Sequence, residues 1–493
     1  MKRLSKSRYQ TGLQCPRALW LKTYRSSLAD PITEVQQQVF DTGHAVGRLA
    51  HGLFPGGMEV TEDHTQSAAA LESTRKAIEQ GALVLYEPAF EFGGVFVRVD
   101  ILVRRGDAWD LYEVKSSTKV KPEHITDAAV QTWVVEGAGL PVGRSHIVHV
   151  DNTYVWPGGD YDLSRLFAVR DVTADVRSYL PHVGPTVEAL QAMLDGDLPE
   201  TRLGSRCGSP YPCAFLGWCH GERLPTSHPV TELPYLSDKA LGALLDSGVT
   251  CVLDIPDGFP MLSENQAATV EVVKSGAPYA DLAGLARGLA VLEYPLYHLD
   301  FETTNPGLPV WPGTRPYEAV PFQYSIHVEQ EDGSVEHRSY LHTEAGDPRG
   351  PLARHLLADL GEAGSVVHYS AYERRILDGL AGALPELATR ISKVTARLFD
   401  LEAVVRANTK HPEAAGRTSI KYVLPAWCDD LSYAGLGIQD GQTASTRYFK
   451  AITGRLGSAD ACRAVFDDLE VYCGLDTLAM VRLLDRMREL AAG

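Results

Sequence analysis

The stretch Val97–Ser117 carries side chains that could bind a metal ion and activate water. Apolar and β-branched residues alternate on both sides of Arg105-Gly106-Asp107, a pattern that predicts two strands joined by a tight turn. Period two then places Glu113 and Lys115 on one face, with Asp100 of the first strand beside it. Two carboxylates can hold a hard divalent cation, and a lysine can orient water and offset phosphate charge. An edge hairpin with solvated charges fits the same pattern equally well.

Acidic residues in the C-terminal part of the chain form a second candidate set. The segment EYPLYHLDFETT predicts a strand with Asp300 and Glu302 on one face. Glu373 falls near the start of a helix that follows a short apolar strand, and a long C-terminal helix carries Tyr472 and Asp476 one turn apart. If the fold gathers these acids, their repulsion requires bound cations. Each acid taken singly is more typical of a surface charge.

Four of the eight cysteines have a pattern of their own. Cys207, Cys213 and Cys219 are spaced C-x5-C-x5-C in a segment whose Pro and Gly residues favour a loop, so three thiolates could converge. Cys15 is the candidate fourth ligand, within RYQTGLQCPRALWLKTY, which predicts one short amphipathic helix. Four thiolates suit an iron–sulfur cluster or zinc. The spacing lacks the C-x2-C of zinc ribbons, which favours [4Fe–4S].

Length and composition predict a soluble protein of two or three domains. The chain has 493 residues, of which 44% are hydrophobic and 22% charged. No apolar run approaches the ~20 residues of a membrane span, and the N-terminus lacks a signal-peptide core, so we expect a cytoplasmic protein with no membrane partner. The net charge of −17 argues against a broad nucleic-acid-coating surface. Met1–Arg25, however, has seven basic and no acidic residues, and this segment could face phosphates or simply be solvated.

The first half of the chain resembles the PD-(D/E)XK nucleases of the RecB-like group, in particular the iron–sulfur CRISPR adaptation nucleases. The matching residues are Gly47-x-x-x-His51, Asp100, Glu113-Val114-Lys115, Gln131 and the four cysteines Cys15, Cys207, Cys213 and Cys219. The resemblance implies that Asp100 and Glu113 bind the metal with His51 as an additional ligand. It also implies that Lys115 orients water and that Gln131 positions the lysine or the strand. The four cysteines would close a cluster joining the two ends of the domain, although many relatives have a closer first cysteine pair.

The second half is similar to the DnaQ-like, or DEDD, 3′–5′ exonucleases of ribonuclease-H-like fold. Asp300 and Glu302 match the first motif, Glu373 the second and Asp476 the third. Tyr472, four residues before Asp476, matches the tyrosine variant of the third motif, in which the tyrosine positions the nucleophilic water. The second motif departs from the usual pattern, with Tyr369 in place of asparagine and glutamate in place of aspartate. Asp400 is the alternative acid.

Together the halves look like a bacterial family that fuses a RecB-like nuclease to a ribonuclease-H-like domain. The expected fold class is α/β, with a PD-(D/E)XK restriction-endonuclease-like domain over 1–222, a helical connecting module over 223–292 and a ribonuclease-H-like DEDD exonuclease domain over 293–493. The expected function is hydrolysis of DNA, single-stranded or at ends, with Mg²⁺ or Mn²⁺ at two separate sites, in repair, recombination or defence. The [4Fe–4S] cluster would be structural or redox-sensing. The alternatives are an RNA-processing 3′–5′ exonuclease and an end-binding protein with one active site.

Overall fold

The chain folds into a mixed α/β structure, which we describe from a computed structural model over residues 3–63, 65–428 and 431–492. It divides into two compact units. The first is Met1–Arg223 with the short pieces Gly307–Pro309 and Thr314–Pro316, and the second is the remainder, from Leu224 onward. Among the helices of these described residues, none combines the length and the apolar character needed to cross a bilayer.

The first unit contains a six-stranded sheet and a three-stranded one, with the helices packed on both faces of the larger sheet. Its elements are β1 (Leu4–Ser5), α1 (Lys6–Gln14), α2 (Pro16–Tyr24), α3 (Glu34–Ala50), β2 (Met58–Glu59), α4 (Ser67–Glu79), β3 (Val84–Tyr86), β4 (Ala89–Phe92), β5 (Val95–Arg98), β6 (Ile101–Arg105), β7 (Ala108–Lys115), α5 (Pro122–Gly137), β8 (Val142–Val150), α6 (Leu163–Leu166), β9 (Phe167–Asp171), α7 (Thr173–Leu194) and α8 (Leu216–Arg223). The larger sheet has the order β2-β3-β6-β7-β8-β9, and the smaller one has the order β1-β5-β4.

The predicted hairpin of the first unit is confirmed. Strands β6 and β7 are antiparallel with Arg105 opposite Ala108, and Gly106 in the turn has a φ of +64°, which favours glycine. Along β7, Leu111 packs on the side of α5 and α7, whereas Tyr112 packs on the side of α3. Glu113 therefore projects toward α5, because side chains alternate along a strand.

The single helix predicted around Cys15 is wrong, because α1 and α2 are separate. Cys15 has an extended backbone, with φ of −158° and ψ of 114°, and Pro16 is the first residue of α2. Proline has no N–H to continue a helix, and it disfavours the helical region for the residue before it. The break leaves Cys15 at a corner between two helices.

The second unit contains a five-stranded sheet covered by helices on both faces. Its elements are α9 (Asp238–Asp246), α10 (Glu264–Ser275), β10 (Tyr279–Ala280), α11 (Leu282–Leu289), β11 (Leu296–Thr304), β12 (Val320–Glu329), β13 (Val335–Leu341), α12 (Arg349–Asp359), β14 (Val366–His368), α13 (Tyr372–Ala383), α14 (Ala388–Thr395), β15 (Leu398–Asp400), α15 (Leu401–Asn408), β16 (Thr409–Lys410), α16 (Ile420–Trp427), α17 (Gly441–Ile452) and α18 (Ala459–Ala492).

The five-stranded sheet has the order β13-β12-β11-β14-β15, in which only β12 runs against the other four strands. Leu299 and Phe301 of the central strand β11 pack with α12 and α13 on one face. Alternation therefore directs Asp300 and Glu302 to the opposite face, which α18 covers. The helices α9 and α10 share a small apolar core with Ala415 within this unit.

Candidate active sites

The first cluster of polar side chains lies on the α5 side of β7. Asp100 lies in this cluster with Glu113 and Lys115. Its Oδ2 accepts a hydrogen bond from the Val114 N–H at 2.6 Å. The alternation predicts that Asp100 lies on the first strand of the hairpin. In the structure Asp100 instead lies between β5 and β6. This position still directs its carboxylate toward the end of β7.

Glu113 is at the centre of the cluster, and its side chain is 1% exposed. Its Oε1 accepts a hydrogen bond from Lys115 Nζ at 2.6 Å, and its Oε2 accepts one from Gln131 Nε2 at 2.7 Å. Gln131 reaches Glu113 from the buried face of α5. The structure thus brings together Asp100, Glu113, Lys115 and Gln131, as the motif predicts.

Two further charged residues, Lys6 and Asp127, belong to the cluster but not to the motif. Lys6 Nζ donates to Glu113 Oε1 at 2.7 Å and lies 3.6 Å from Asp127 Oδ2. Asp127 also accepts a hydrogen bond from Lys115. Asp127 lies one helical turn before Gln131, so helix periodicity is the signal that could have identified it. The sequence signal for Lys6 is only the excess of positive charge at the N-terminus.

The cluster shifts the pKa values of its members in different directions. Burial raises the pKa of Asp100 well above its usual range, and Glu113 raises it further. Burial acts in the same direction on Glu113, but Lys115 and Lys6 outweigh it and hold the pKa of Glu113 well below its usual range. Burial alone would lower the pKa of Lys115, whereas Asp127 and Glu113 raise it well above normal. Lys115 is therefore a fixed cation beside an ionised Glu113 at neutral pH.

His51, the predicted additional metal ligand, lies after the end of α3 with its ring stacked on Tyr86 at 4.1 Å between centroids. Burial lowers the pKa of His51, which keeps the imidazole neutral. Within the described ranges, the hydrogen bonds and ion pairs around Glu113 do not include His51. Its role as a ligand stays a prediction.

The four cysteines of the sequence pattern line one small pocket of the first unit. Cys15 lies at the corner between α1 and α2, and Cys207 ends a short 3-10 turn. The Cys213 N–H donates to the Cys207 carbonyl at 2.9 Å, which folds this loop back on itself. Cys219 lies on α8 rather than in a loop, and all four are free thiols.

The chemistry of this pocket fits an iron–sulfur cluster. Four thiolates are also the donor set of a structural zinc site, so the residues suit either metal centre. Burial raises the pKa of Cys219, while the guanidinium groups of Arg17 and Arg223 pull it down. Such guanidinium groups would stabilise the negative charge of a thiolate-bound cluster.

A second cluster of acids lies in the second unit, between β11 and α18. Metal-ligating atoms of Asp300, Glu302 and Cys473 all lie within 4.8 Å of one another. Asp476 of α18 accepts a hydrogen bond from the Tyr433 hydroxyl at 2.6 Å. The Cys473 thiol donates to Asp300 Oδ2 at 3.7 Å. The motifs do not include Cys473 or Tyr433, although Cys473 lies beside Tyr472 in the sequence.

Burial and crowding prevent the acids of the second cluster from all ionising together. Burial raises the pKa of Asp300 well above its usual range, and Asp476 and Glu302 raise it further. Burial, followed by the charge of Asp476, also raises the pKa of Glu302 well above its usual range. Burial raises the pKa of Asp476 to about 6, even though the Tyr433 hydrogen bond pulls it down. Such a cluster is stabilised by any cation bound among the carboxylates.

Tyr472, the predicted water-positioning residue, contacts a lysine that the motifs do not include. Lys421 Nζ donates to the Tyr472 hydroxyl at 2.9 Å and lies 4.9 Å from the centre of its ring. Burial, followed by the charge of Asp476, raises the pKa of Tyr472, so the phenol stays neutral. The Tyr472 oxygen accepts from Lys421, and its O–H acts on Asp476, whose pKa it lowers.

Glu373 completes the set of four acids from the start of α13, where it is 2% exposed. Its charge raises the pKa values of Asp300, Glu302 and Asp476, so all four acids lie within electrostatic range. Glu373 Oε2 lies 3.4 Å from His368 Nδ1. Burial raises the pKa of Glu373, whereas His368 pulls it down.

Asp400 and Tyr369, the other residues considered for the second motif, have local structural roles. Asp400 Oδ1 accepts a hydrogen bond from the Ala403 N–H at 3.0 Å and so caps α15. Tyr369 donates its hydroxyl to the Thr418 carbonyl at 2.8 Å. These contacts favour Glu373 over Asp400 as the fourth acid.

The fold and its sites define a mixed α/β protein with a lysine–carboxylate cluster in one unit and an acid cluster in the other. The family profile described as "Domain of unknown function (DUF2779)" matches residues 297–419. The matched segment includes Asp300, Glu302 and Glu373 and ends before Asp476. A search of curated proteins found no match.

Proposed function

We propose that the protein is a metal-dependent nuclease that hydrolyses DNA at two active sites, one in each unit. The observation that carries this proposal is the convergence of acids that are far apart in sequence. Asp300, Glu302, Glu373 and Asp476 come from a strand and two helices yet act on one another electrostatically. The five-stranded sheet, in which only β12 is antiparallel to the other four strands, supports a ribonuclease-H-like DEDD domain.

In the first site we assign the PD-(D/E)XK roles to residues that contact one another. Asp100 and Glu113 would hold Mg²⁺ or Mn²⁺, which supplies Lewis-acid activation of water and stabilises the leaving oxygen. Lys115 orients the attacking water and offsets phosphate charge. Gln131 holds the Glu113 carboxylate in place through its 2.7 Å hydrogen bond.

In the second site the four acids are the candidate ligands of the divalent ions, and Tyr472 is the residue that places the water. Lys421 fixes the phenol oxygen from one side, and the Tyr472 O–H, which acts on Asp476, would turn toward a water bound beside that carboxylate. Tyr433 holds Asp476 in a single orientation through its 2.6 Å hydrogen bond. Pre-organisation of this kind is what a hydrolytic site requires.

The four-cysteine pocket is proposed to hold a structural [4Fe–4S] cluster. Gln14 Nε2 donates to the carbonyls of Arg206 and Tyr211 at 2.7 Å, so the N-terminal helices already pack against the cysteine loop. A cluster bound by Cys15 together with this loop would join the two ends of the first unit covalently through iron.

Replacement of one of these cysteines tests the cluster. We expect Cys15→Ser to remove the brown colour of the purified chain and to lower its iron content from about four atoms per chain to near zero. The reason is that three thiolates bind a [4Fe–4S] cluster less tightly than four. Cys251→Ser is the matched control, since Cys251 lies outside the pocket. Iron analysis and the visible absorption spectrum are the measurements. Zinc in place of iron would contradict the cluster assignment.

The nuclease function itself is tested with end-labelled strands of one sequence, as single-stranded DNA, duplex DNA and RNA. We expect Mg²⁺ or Mn²⁺ to support hydrolysis of the DNA strands and EDTA to stop it, because the acids act only through bound cations. Faster hydrolysis of RNA than of DNA would support the RNA-processing alternative. Absence of hydrolysis of every strand with either metal would contradict the proposal.

A further inference from the structure

Lys6 is the one residue of the first cluster that comes from the N-terminal helix. It is the first residue of α1, and its side chain is 26% exposed. Its ammonium lies 2.7 Å from Glu113 Oε1 and 3.6 Å from Asp127 Oδ2. Burial alone would lower the pKa of Lys6, but Asp127 and Glu113 raise it, so Lys6 is a cation at neutral pH.

Two ammonium groups share a single oxygen of Glu113. Lys115 Nζ lies 2.6 Å from Oε1, the same atom that Lys6 contacts, while Gln131 occupies Oε2. Both oxygens of the carboxylate that the PD-(D/E)XK assignment gives to the metal are therefore taken by protein donors. Lys115 is already available to orient water, so the active site has no evident need of a second ammonium on this oxygen.

The backbone at Lys6 is fixed at both sides, so a change in its contacts involves only its flexible side chain. Before it, β1 pairs with β5. After it, α1 ends at Gln14, whose amide binds two carbonyls of the cysteine loop. A lysine side chain has four rotatable bonds, which let the ammonium move while α1 stays in place.

We propose that the Lys6 ammonium and a divalent cation compete for Glu113, and that on metal binding the ammonium leaves Glu113 and binds a phosphate of the DNA strand. This inference rests on the proposed function of the first site. In the cluster Lys6 compensates for the charge of Asp127, a carboxylate that lies outside the motif. Once a divalent cation is bound, repulsion between the cation and the Lys6 ammonium displaces the ammonium from Glu113. Asp127 already accepts a hydrogen bond from Lys115, so a strand phosphate is the anion that the displaced ammonium would pair with.

The test measures metal affinity and DNA affinity separately for Lys6→Met. The full chain carries Asp300→Asn and Asp476→Asn in every sample so that metal binding by the second site is removed. We expect Lys6→Met to bind Mn²⁺ about tenfold more tightly by calorimetry, because a competing positive charge is gone. We expect it to bind a single-stranded oligonucleotide about tenfold more weakly in Ca²⁺, because a phosphate contact is lost. Lys6→Arg should retain the DNA affinity.

Controls separate this inference from the proposed function on which it rests. Arg8→Met removes an equal charge from the same helix at a partly exposed position, and should change neither affinity. If Lys6→Met fails to fold in a thermal melt, Lys6→Gln, which keeps a hydrogen-bond donor, replaces it. Unchanged or weaker Mn²⁺ affinity in a folded Lys6 variant overturns this inference but does not contradict the proposed function of the first site. If Glu113→Gln removes no Mn²⁺ binding from the parent chain, the first-site assignment fails, and the inference fails with it.

Discussion

Asp300→Asn is expected to abolish 3′–5′ trimming of single-stranded DNA by the second site, with a loss of about a thousandfold in rate. Asp300 lies at the centre of the acid cluster, in contact with Cys473 and in electrostatic range of the other three acids. An amide keeps the shape of the side chain but removes the charge that binds a cation. The measurement is the shortening of a 5′-labelled strand in Mg²⁺.

Two controls accompany Asp300→Asn. Asp467→Asn makes the same chemical change at an exposed position of α18 and should leave trimming unchanged. The Asp300→Asn chain should melt at no lower a temperature than the wild type in EDTA, because burial and its neighbours already favour an uncharged Asp300. The first site should retain its activity in this variant, and an equal loss at both sites would contradict two independent centres.

Lys115→Met is expected to reduce cleavage by the first site about a thousandfold while DNA affinity stays within a few-fold of the wild type. Lys115 is a partly buried cation held between Glu113 and Asp127, so it is placed to act on the water and the phosphate rather than to capture the strand. Cleavage is measured in a chain that carries Asp300→Asn, and affinity is measured in Ca²⁺ by fluorescence anisotropy.

Lys119→Met is the matched control, since Lys119 lies on the exposed loop that follows β7. It should preserve both cleavage and affinity. If Lys115→Met lowers affinity and cleavage by the same factor, the first unit acts as an end-binding module, which is the alternative with a single active site. A thermal melt establishes that the variant is folded.

The sequence predicts those parts of the two sites that depend on local periodicity. Alternation along a strand predicts that Glu113 and Lys115 share a face, and a spacing of four on a helix predicts the same for Tyr472 and Asp476. These relations hold in any fold that contains the elements. The hairpin with Gly106 in its turn is predictable for the same reason.

Residues that reach a site from a distant segment are not predictable in this way. Lys6 is 107 residues from Glu113, and Lys421 is 51 residues from Tyr472. Nothing in their own neighbourhood indicates that the fold places them beside buried carboxylates, because that depends on how α1 and α16 pack. The break at Cys15 is different, since Pro16 is a local signal that favours two helices over one.

If the four-cysteine pocket holds the proposed cluster, the helix α1 connects the first site to iron supply. Lys6 begins this helix and Cys15 follows its end, so the same nine-residue segment serves both the carboxylate cluster and the cysteine pocket. A chain without the cluster would keep the Gln14 hydrogen bonds to the cysteine loop but would lose the bond from Cys15 to iron. Under this proposal, loss of the cluster would loosen the end of α1 and with it the position of Lys6 beside Glu113.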